Sequence, residues 1–199
     1  MDQEFLCKVV SLLVQNGAKS VTMDDIAKEM GISKRTLYQK YKNKEALLED
    51  VIAYKLDEGL KEMHEINQRV ENPLEVYFYK HENFQQQVES NKSVFVRQLI
   101  KYYPSIFEKY IANFSDQFIK FTVENVKKGR EMGLYREDFD EEVYADFVFR
   151  LFISYDFNPD QCDTFASRYG FNFKVIDFYL NAITTDAGRH IVKKYTQNL

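Results

Sequence analysis

Apolar residues recur three and four positions apart along almost the whole chain, the spacing of helices that each bury one face. Phe5, Leu6, Val9, Val10 and Leu13 predict a first helix over 2–16, ended by Gly17. Ile26, Ala27 and Met30 predict a short second helix, and Leu37 and Tyr41, four apart, the inward face of a third. From Asn43 the stripe Leu47, Leu48, Val51, Ile52, Leu56, Leu60, Met63, Ile66 and Val70 runs on without Pro or a polar linker. It predicts one helix of about 25 residues, roughly 40 Å long. Asn72-Pro73 starts another, with Val76, Tyr77, Phe78, Phe84 and Val88 on its stripe. Later stripes run from Val94 to Ile100, ended before Pro104, and from Ile106 to Val126, with Gly129 and Gly133 marking the end. Asp140 caps the next, from Tyr144 to Tyr155; Phe173 to Ile183 follows, and Thr185 caps a last short helix.

The punctuation of residues 22–44 is denser than elsewhere. Thr22 is an N-cap with Asp24 and Asp25 in the first turn, where the helix dipole favours negative charge. Gly31 falls where the chain needs positive φ, Ser33 caps the next helix and Asn43 the one after. Two short helices around a Gly-containing turn are a helix-turn-helix, braced here by the first helix. With Leu37 and Tyr41 inward, Arg35, Thr36, Tyr38 and Gln39 point out or to the flanks. From Gly31 to Lys44 there is no Asp or Glu, but there are Lys34, Arg35, Lys40, Lys42 and Lys44. Such a face suits the major groove, about 12 Å wide, where Arg pairs with guanine and Gln with adenine. Lys44 adds its charge to the free N–H groups of the next helix, a phosphate clamp.

The run TMDDIAKEMGISKRTLYQKYKNKEALL resembles the DNA-binding segment of the TetR family of transcriptional regulators. The resemblance covers about the first 50 residues, on the pattern G-[IV]-S-x-x-T-[LI]-Y-x-x-[FY]-x-[NS]-K-[ED]-x-L. It implies that Thr22, Thr36, Tyr38 and Lys44 touch phosphates, and that Ser33, Lys34, Arg35, Gln39 and Lys40 complete the DNA-contacting set. Tyr41 stands where the family often has Phe. The run G-x-x-x-G-L-Y-R-x-D-F-D and the closing T-x-x-G-x-x-I-x-x-x-Y are also similar to C-terminal domains of that family. The implied architecture is all-α, with a helix-turn-helix DNA-binding domain over 1–46. The long helix joins it to a helical ligand-binding and dimerisation domain over 47–199.

Composition fits and narrows this picture. Seven Gly and three Pro are few for a β-rich protein with many turns. The formal net charge of −4 provides no global attraction for nucleic acid, so DNA binding has to come from the local basic run. Cys7 and Cys162, far apart, do not form a disulfide framework; Cys7 is expected to be a buried thiol on the first helix, and the compartment cytoplasmic. There is no signal peptide and no apolar run long enough to cross a membrane, so no membrane partner is expected.

Seventeen Phe and fourteen Tyr fall mostly after Tyr54. Aromatic stripes at helical spacing are core by default. The resemblance implies a pocket for a small apolar or aromatic ligand among them, with Tyr77, Phe95, Tyr103, Phe107, Phe114, Phe118 and Tyr144 as its candidates. Ligand binding is then expected to shift the long helix and spread two DNA-reading heads. One head binds weakly, whereas a two-fold homodimer reads a palindromic operator in double-stranded DNA. Phe147, Leu151, Tyr155, Phe173, Ile176, Tyr179 and Ile183 are the candidate seam; the sequence does not apportion them between seam and internal core. His64, His81 and His190 lie on different elements, and no metal, phosphate-loop or nucleophile motif occurs. No cofactor and no enzymatic activity are expected. The two readings are a ligand-released repressor and, as the alternative, a helical interaction or architectural module that keeps the fold without ligand control.

Overall fold

The structure, a computed structural model, describes residues 3–79, 92–157 and 168–196. Its elements are α1 (Gln3–Asn16), α2 (Met23–Glu29), α3 (Lys34–Lys40), α4 (Lys44–Arg69), a 3-10 helix (Pro73–Tyr77), α5 (Lys92–Tyr102), α6 (Pro104–Glu131), α7 (Glu141–Phe157), α8 (Arg168–Ile183) and α9 (Asp186–Thr196). Among the described residues the only β pairing is an isolated antiparallel bridge between Tyr135 and Thr184. The fold is all-α, with an N-terminal helix-turn-helix followed by the long α4, as the apolar spacing implies.

The chain forms two compact units: Met1–Gly59 with Gln87–Asn113, and Leu60–Gln86 with Phe114–Leu199. The first is larger than residues 1–46. Its core takes Val9 and Leu13 from α1, Ile26 and Ala27 from α2, Leu37 from α3, and Leu47, Leu48 and Val51 from α4. Phe95 and Leu99 of α5 and Ile106 of α6 complete it. A helix-turn-helix alone exposes too much of its own surface to fold, and these helices cover it. Gln98 Oε1 accepts from the Lys19 amide at 2.8 Å, and its side chain lies against Gly17, whose φ is +86°.

In the second unit Leu74, Val126, Tyr135, Val148, Leu180 and Ile183 are buried together. Its polar centre is Asn125. The Asn125 Nδ2 donates to the Pro73 carbonyl at 2.9 Å, and its Oδ1 accepts from the hydroxyls of Tyr135 at 3.0 Å and Tyr77 at 3.3 Å. Burial pushes the Tyr77 and Tyr135 hydroxyls well above their ordinary pKa, so both stay neutral donors. Arg130 ties down the turn after α6, donating to Glu141 at 2.8 Å and to the carbonyls of Phe139 and Arg136 at 2.6 and 3.0 Å. Arg168 grips the buried Asp156 with two bonds of 2.8 and 2.7 Å, tying α8 to α7.

Three expectations change. The start of the helix foreseen after Asn72-Pro73 is a 3-10 helix, Pro73–Tyr77, capped by the Asn72 side chain; the rest of its stripe, Phe84 and Val88, lies outside the described residues, as do His81 and Cys162. Gly129 does not mark the end of α6 but sits inside it, where an added Cβ would lie 2.1 Å from the Tyr135 ring; Gly133, at φ +70°, ends the turn. Cys7 is exposed. Phe5, Val9 and Leu13 carry the α1 stripe at intervals of four, and a residue two positions off that stripe points to the other side of the helix.

Candidate nucleic-acid interface

Local chemistry sets the helix-turn-helix. Thr22 and Asp25 form a reciprocal capping box: the Asp25 amide donates to Thr22 Oγ1 at 3.1 Å and the Thr22 amide to Asp25 Oδ2 at 2.9 Å. The Thr22 hydroxyl bond holds the Asp25 carboxyl below its ordinary pKa. α2 ends in a Schellman turn. The Ile32 amide bonds the Ala27 carbonyl at 3.0 Å and the Gly31 amide the Lys28 carbonyl at 3.1 Å, with Gly31 at φ +64°. Ser33 Oγ then caps α3 through the Thr36 amide at 3.0 Å, and Asn43 Oδ1 caps α4 through the Ala46 amide at 2.9 Å. Leu37 is fully buried and Tyr41 nearly so, with the Tyr41 hydroxyl donating to Asp50 at 3.0 Å. Those two anchors fix the rotation of α3.

With that rotation Ser33, Lys34, Arg35, Thr36, Tyr38, Gln39 and Lys40 are all exposed, and so is Thr22. Lys44 differs. It is half-buried at the start of α4, donating to the Lys19 carbonyl at 3.3 Å, with its ammonium 5.9 Å from the Tyr103 ring centroid. Burial lowers its pKa, and Glu45 and Asp25 partly restore it. The acid-free run is not free of acid in space, because Lys34 Nζ pairs with Asp24 Oδ2 from the first turn of α2. That bond raises the Lys34 pKa. Sequence reasoning had assigned Asp24 to the helix dipole, and no periodicity signals a partner ten residues away across a turn.

The seven candidate pocket aromatics do not share one core. Phe95, Tyr103 and Phe107 belong to the first unit, packed with the helix-turn-helix. Tyr77, Phe118 and Tyr144 pack in the core of the second, and Phe114 and Phe118 both face Phe149, at 6.2 and 5.4 Å between ring centroids. The candidate seam residues also divide. Tyr179 and Ile183 are buried inside the second unit, Tyr155, Phe173 and Ile176 are half-buried, and Phe147 and Leu151 are exposed. Phe178, which sequence reasoning missed, is 67% exposed, and Val143 is exposed too. Its signal was available: an aromatic one position off the buried stripe of α8. An open apolar groove of about 240 Å³ runs here, with Val148 and Tyr179 at its base and Phe147, Leu151 and Phe178 at its edge. Among the described residues no group of three or more His, Cys, Asp or Glu is placed to hold a metal ion, and no helix is long and apolar enough to cross a membrane.

A capped α2, a Schellman turn and an outward polar α3, braced by α1 and followed by further helices, define a helix-turn-helix protein with a helical C-terminal unit. Residues 10–51 match the family described as bacterial regulatory proteins, tetR family. The matched residues run from within α1 through the helix-turn-helix into the start of α4, so this segment is similar to the DNA-binding part of that family. The uncharacterized HTH-type transcriptional regulator YvaF of Bacillus subtilis is 37% identical over 70 residues, 35% of this chain and 34% of that protein. The chain thus spans about a third of the length of this curated relative. Over most of its length it shares the fold of two solved regulators. One, from Saccharomonospora viridis in complex with choline, has a TM-score of 0.73 at 15% identity, covering 92% of this chain and 97% of that one. The other, FadR from Bacillus subtilis in complex with stearoyl-CoA, has a TM-score of 0.67 at 16% identity, covering 89% and 96%.

Proposed function

We propose that the chain is a cytoplasmic transcriptional repressor that holds a palindromic operator in double-stranded DNA as a homodimer and is released by a small apolar or aromatic ligand. The observation that carries this reading is the outward face of α3: Arg35, Thr36, Tyr38 and Gln39 exposed on a helix whose opposite side is fixed by Leu37. Residues 1–46 read the DNA, and 47–199 bind ligand and dimerise. Arg35 and Gln39 meet base edges; Thr22, Thr36, Tyr38 and Lys44 hold phosphates, with Ser33, Lys34 and Lys40 beside them. The ligand sits in the second unit near Tyr77, Phe114, Phe118 and Tyr144. The choline and stearoyl-CoA complexes of regulators with this fold support a ligand-binding role for that unit. No catalytic step and no cofactor belong to this function.

The test is binding to a duplex selected from random sequence by the purified protein, followed by anisotropy across a salt series. Arg35→Ala should cost about 1–3 kcal/mol on the selected site and relax preference at one base position. Lys44→Ala should weaken all sequences alike and reduce the salt slope by about 1. If both variants bind as the parent does, these roles are wrong. Asp24→Asn should act in the opposite direction. With its carboxylate partner gone, Lys34 can take a phosphate, so affinity on any duplex rises and the salt slope steepens by about 0.9. An unchanged slope would mean that Lys34 faces no phosphate.

A further inference from the structure

Residues 90–107 contain no Asp or Glu but carry Lys92, Arg97 and Lys101, a further basic run in a chain of net charge −4. Most of it is α5, which belongs to the same compact unit as the helix-turn-helix. Its last turn meets the chain just ahead of α2. Lys19 Nζ donates to the Tyr102 hydroxyl at 3.3 Å and lies 4.3 Å from the centre of the Tyr102 ring. Lys101 Nζ lies 5.4 Å from the same centre. The Tyr102 side chain is exposed, and the Lys19 bond, with Lys101 adding to it, lowers its hydroxyl pKa. Among the described residues neither ammonium has a carboxylate within ion-pair distance. The dipole of α5 accounts for Lys101 at the helix end. It does not account for Lys19, which comes from a different segment and whose backbone is pinned by Gln98.

The location gives this cluster a use. The Lys19 carbonyl accepts from Lys44 Nζ at 3.3 Å, so Lys19 adjoins the lysine assigned above to a phosphate, and Thr22 is three residues further on. We propose that Lys19 and Lys101, gathered on the Tyr102 ring, form a second phosphate-contact site that holds the DNA backbone outside the helix-turn-helix. Two cations brought to one phenol repel each other, and an anion between them removes that cost. Phosphates repeat about every 3.4 Å of axis along each strand, so a backbone held at Thr22 and Lys44 continues past them toward further phosphates. Tyr102 acts as the spacer that keeps both ammoniums forward. The site reads no bases; it adds affinity and orientation, and it joins α5 to the DNA-contacting surface.

The inference rests on the DNA-binding reading, and one salt series separates the two. The parent chain, Lys19→Ala/Lys101→Ala and Lys19→Arg/Lys101→Arg are titrated with the selected duplex and with a duplex of unrelated sequence. The alanine pair should lower the magnitude of the slope of log K against log salt by about 0.9 for each phosphate lost, up to about 2. It should weaken both duplexes by the same factor, while the arginine pair keeps the parent slope. Slopes equal to the parent's in the alanine pair overturn the proposal and leave the DNA reading standing. An alanine pair that loses base preference instead overturns it too, because the lysines would then be shaping α3. A parent that binds neither duplex overturns both.

Discussion

Gly188→Ala is expected to lower the melting temperature by about 6 °C, against the usual gain from alanine in a helix. Gly188 is in the first turn of α9, and a Cβ there would lie 2.3 Å from the Leu134 carbonyl oxygen. That oxygen belongs to backbone, so no side-chain rotation relieves the contact. It is also in use, accepting from the Thr185 amide at 3.0 Å and from Thr185 Oγ1 at 3.2 Å, beside the Tyr135–Thr184 bridge. Moving it stretches the bonds that hold the start of α9 to the turn after α6. Forced overpacking of this kind costs up to about 3 kcal/mol. Alanine returns about 1 kcal/mol of helix propensity, leaving a net loss of about 2 kcal/mol. For a chain of this size each kcal/mol shifts the melting point by about 2–4 °C. Gly31→Ala is the control: nothing lies within 4 Å of its added Cβ, so only the positive φ is strained, at about 1 kcal/mol. A Gly188→Ala protein that melts at or above the parent temperature would show that the α9 start shifts freely, against the packing described.

The difference between these two glycines also marks what the sequence discloses. Gly31 is legible because its reason is local: the Schellman bonds to Ala27 and Lys28 close within one turn, as do the Thr22–Asp25 box and the Ser33 cap. Capping acts over three or four residues, the range at which a single sequence can be read. Gly129 reads as a helix end and Gly188 as an ordinary helix glycine until Tyr135 and Leu134 are folded against them. The same limit hid the Lys34–Asp24 pair and the Gln98–Lys19 bond, the latter joining residues 79 apart. Aromatic stripes show that Phe95 and Phe118 are inward but carry no mark of which core they enter, and the structure sends them to different units. The outward face of α3 needed no tertiary information, because Leu37 and Tyr41 fix it by themselves.

Phe178→Asp is expected to convert the proposed homodimer to a monomer and to lower affinity for a two-half-site duplex by a factor of about 10²–10⁴, the usual worth of a second tethered contact. In a free protomer the change should be nearly silent. Phe178 is 67% exposed, and substitutions at such positions stay within about 0.5 kcal/mol. Its setting gives it leverage in an assembly. Val143, Phe147 and Leu151 succeed one another at intervals of four along one face of α7, all exposed, and Phe178 adds an aromatic from α8 beside the apolar groove. A continuous apolar face of this kind is costly in water and is the usual mark of an interface. Pairing two copies through it would make a four-helix layer, and a carboxylate placed in its centre would lose its hydration without gaining a partner. Light scattering gives the mass, circular dichroism checks that the fold is kept, and anisotropy with one-half-site and two-half-site duplexes gives the DNA effect. A one-half-site duplex should bind the variant and the parent alike, since α3 is untouched. A variant that remains dimeric, or a monomer that still favours two half-sites, would place the seam elsewhere and leave this face to another partner.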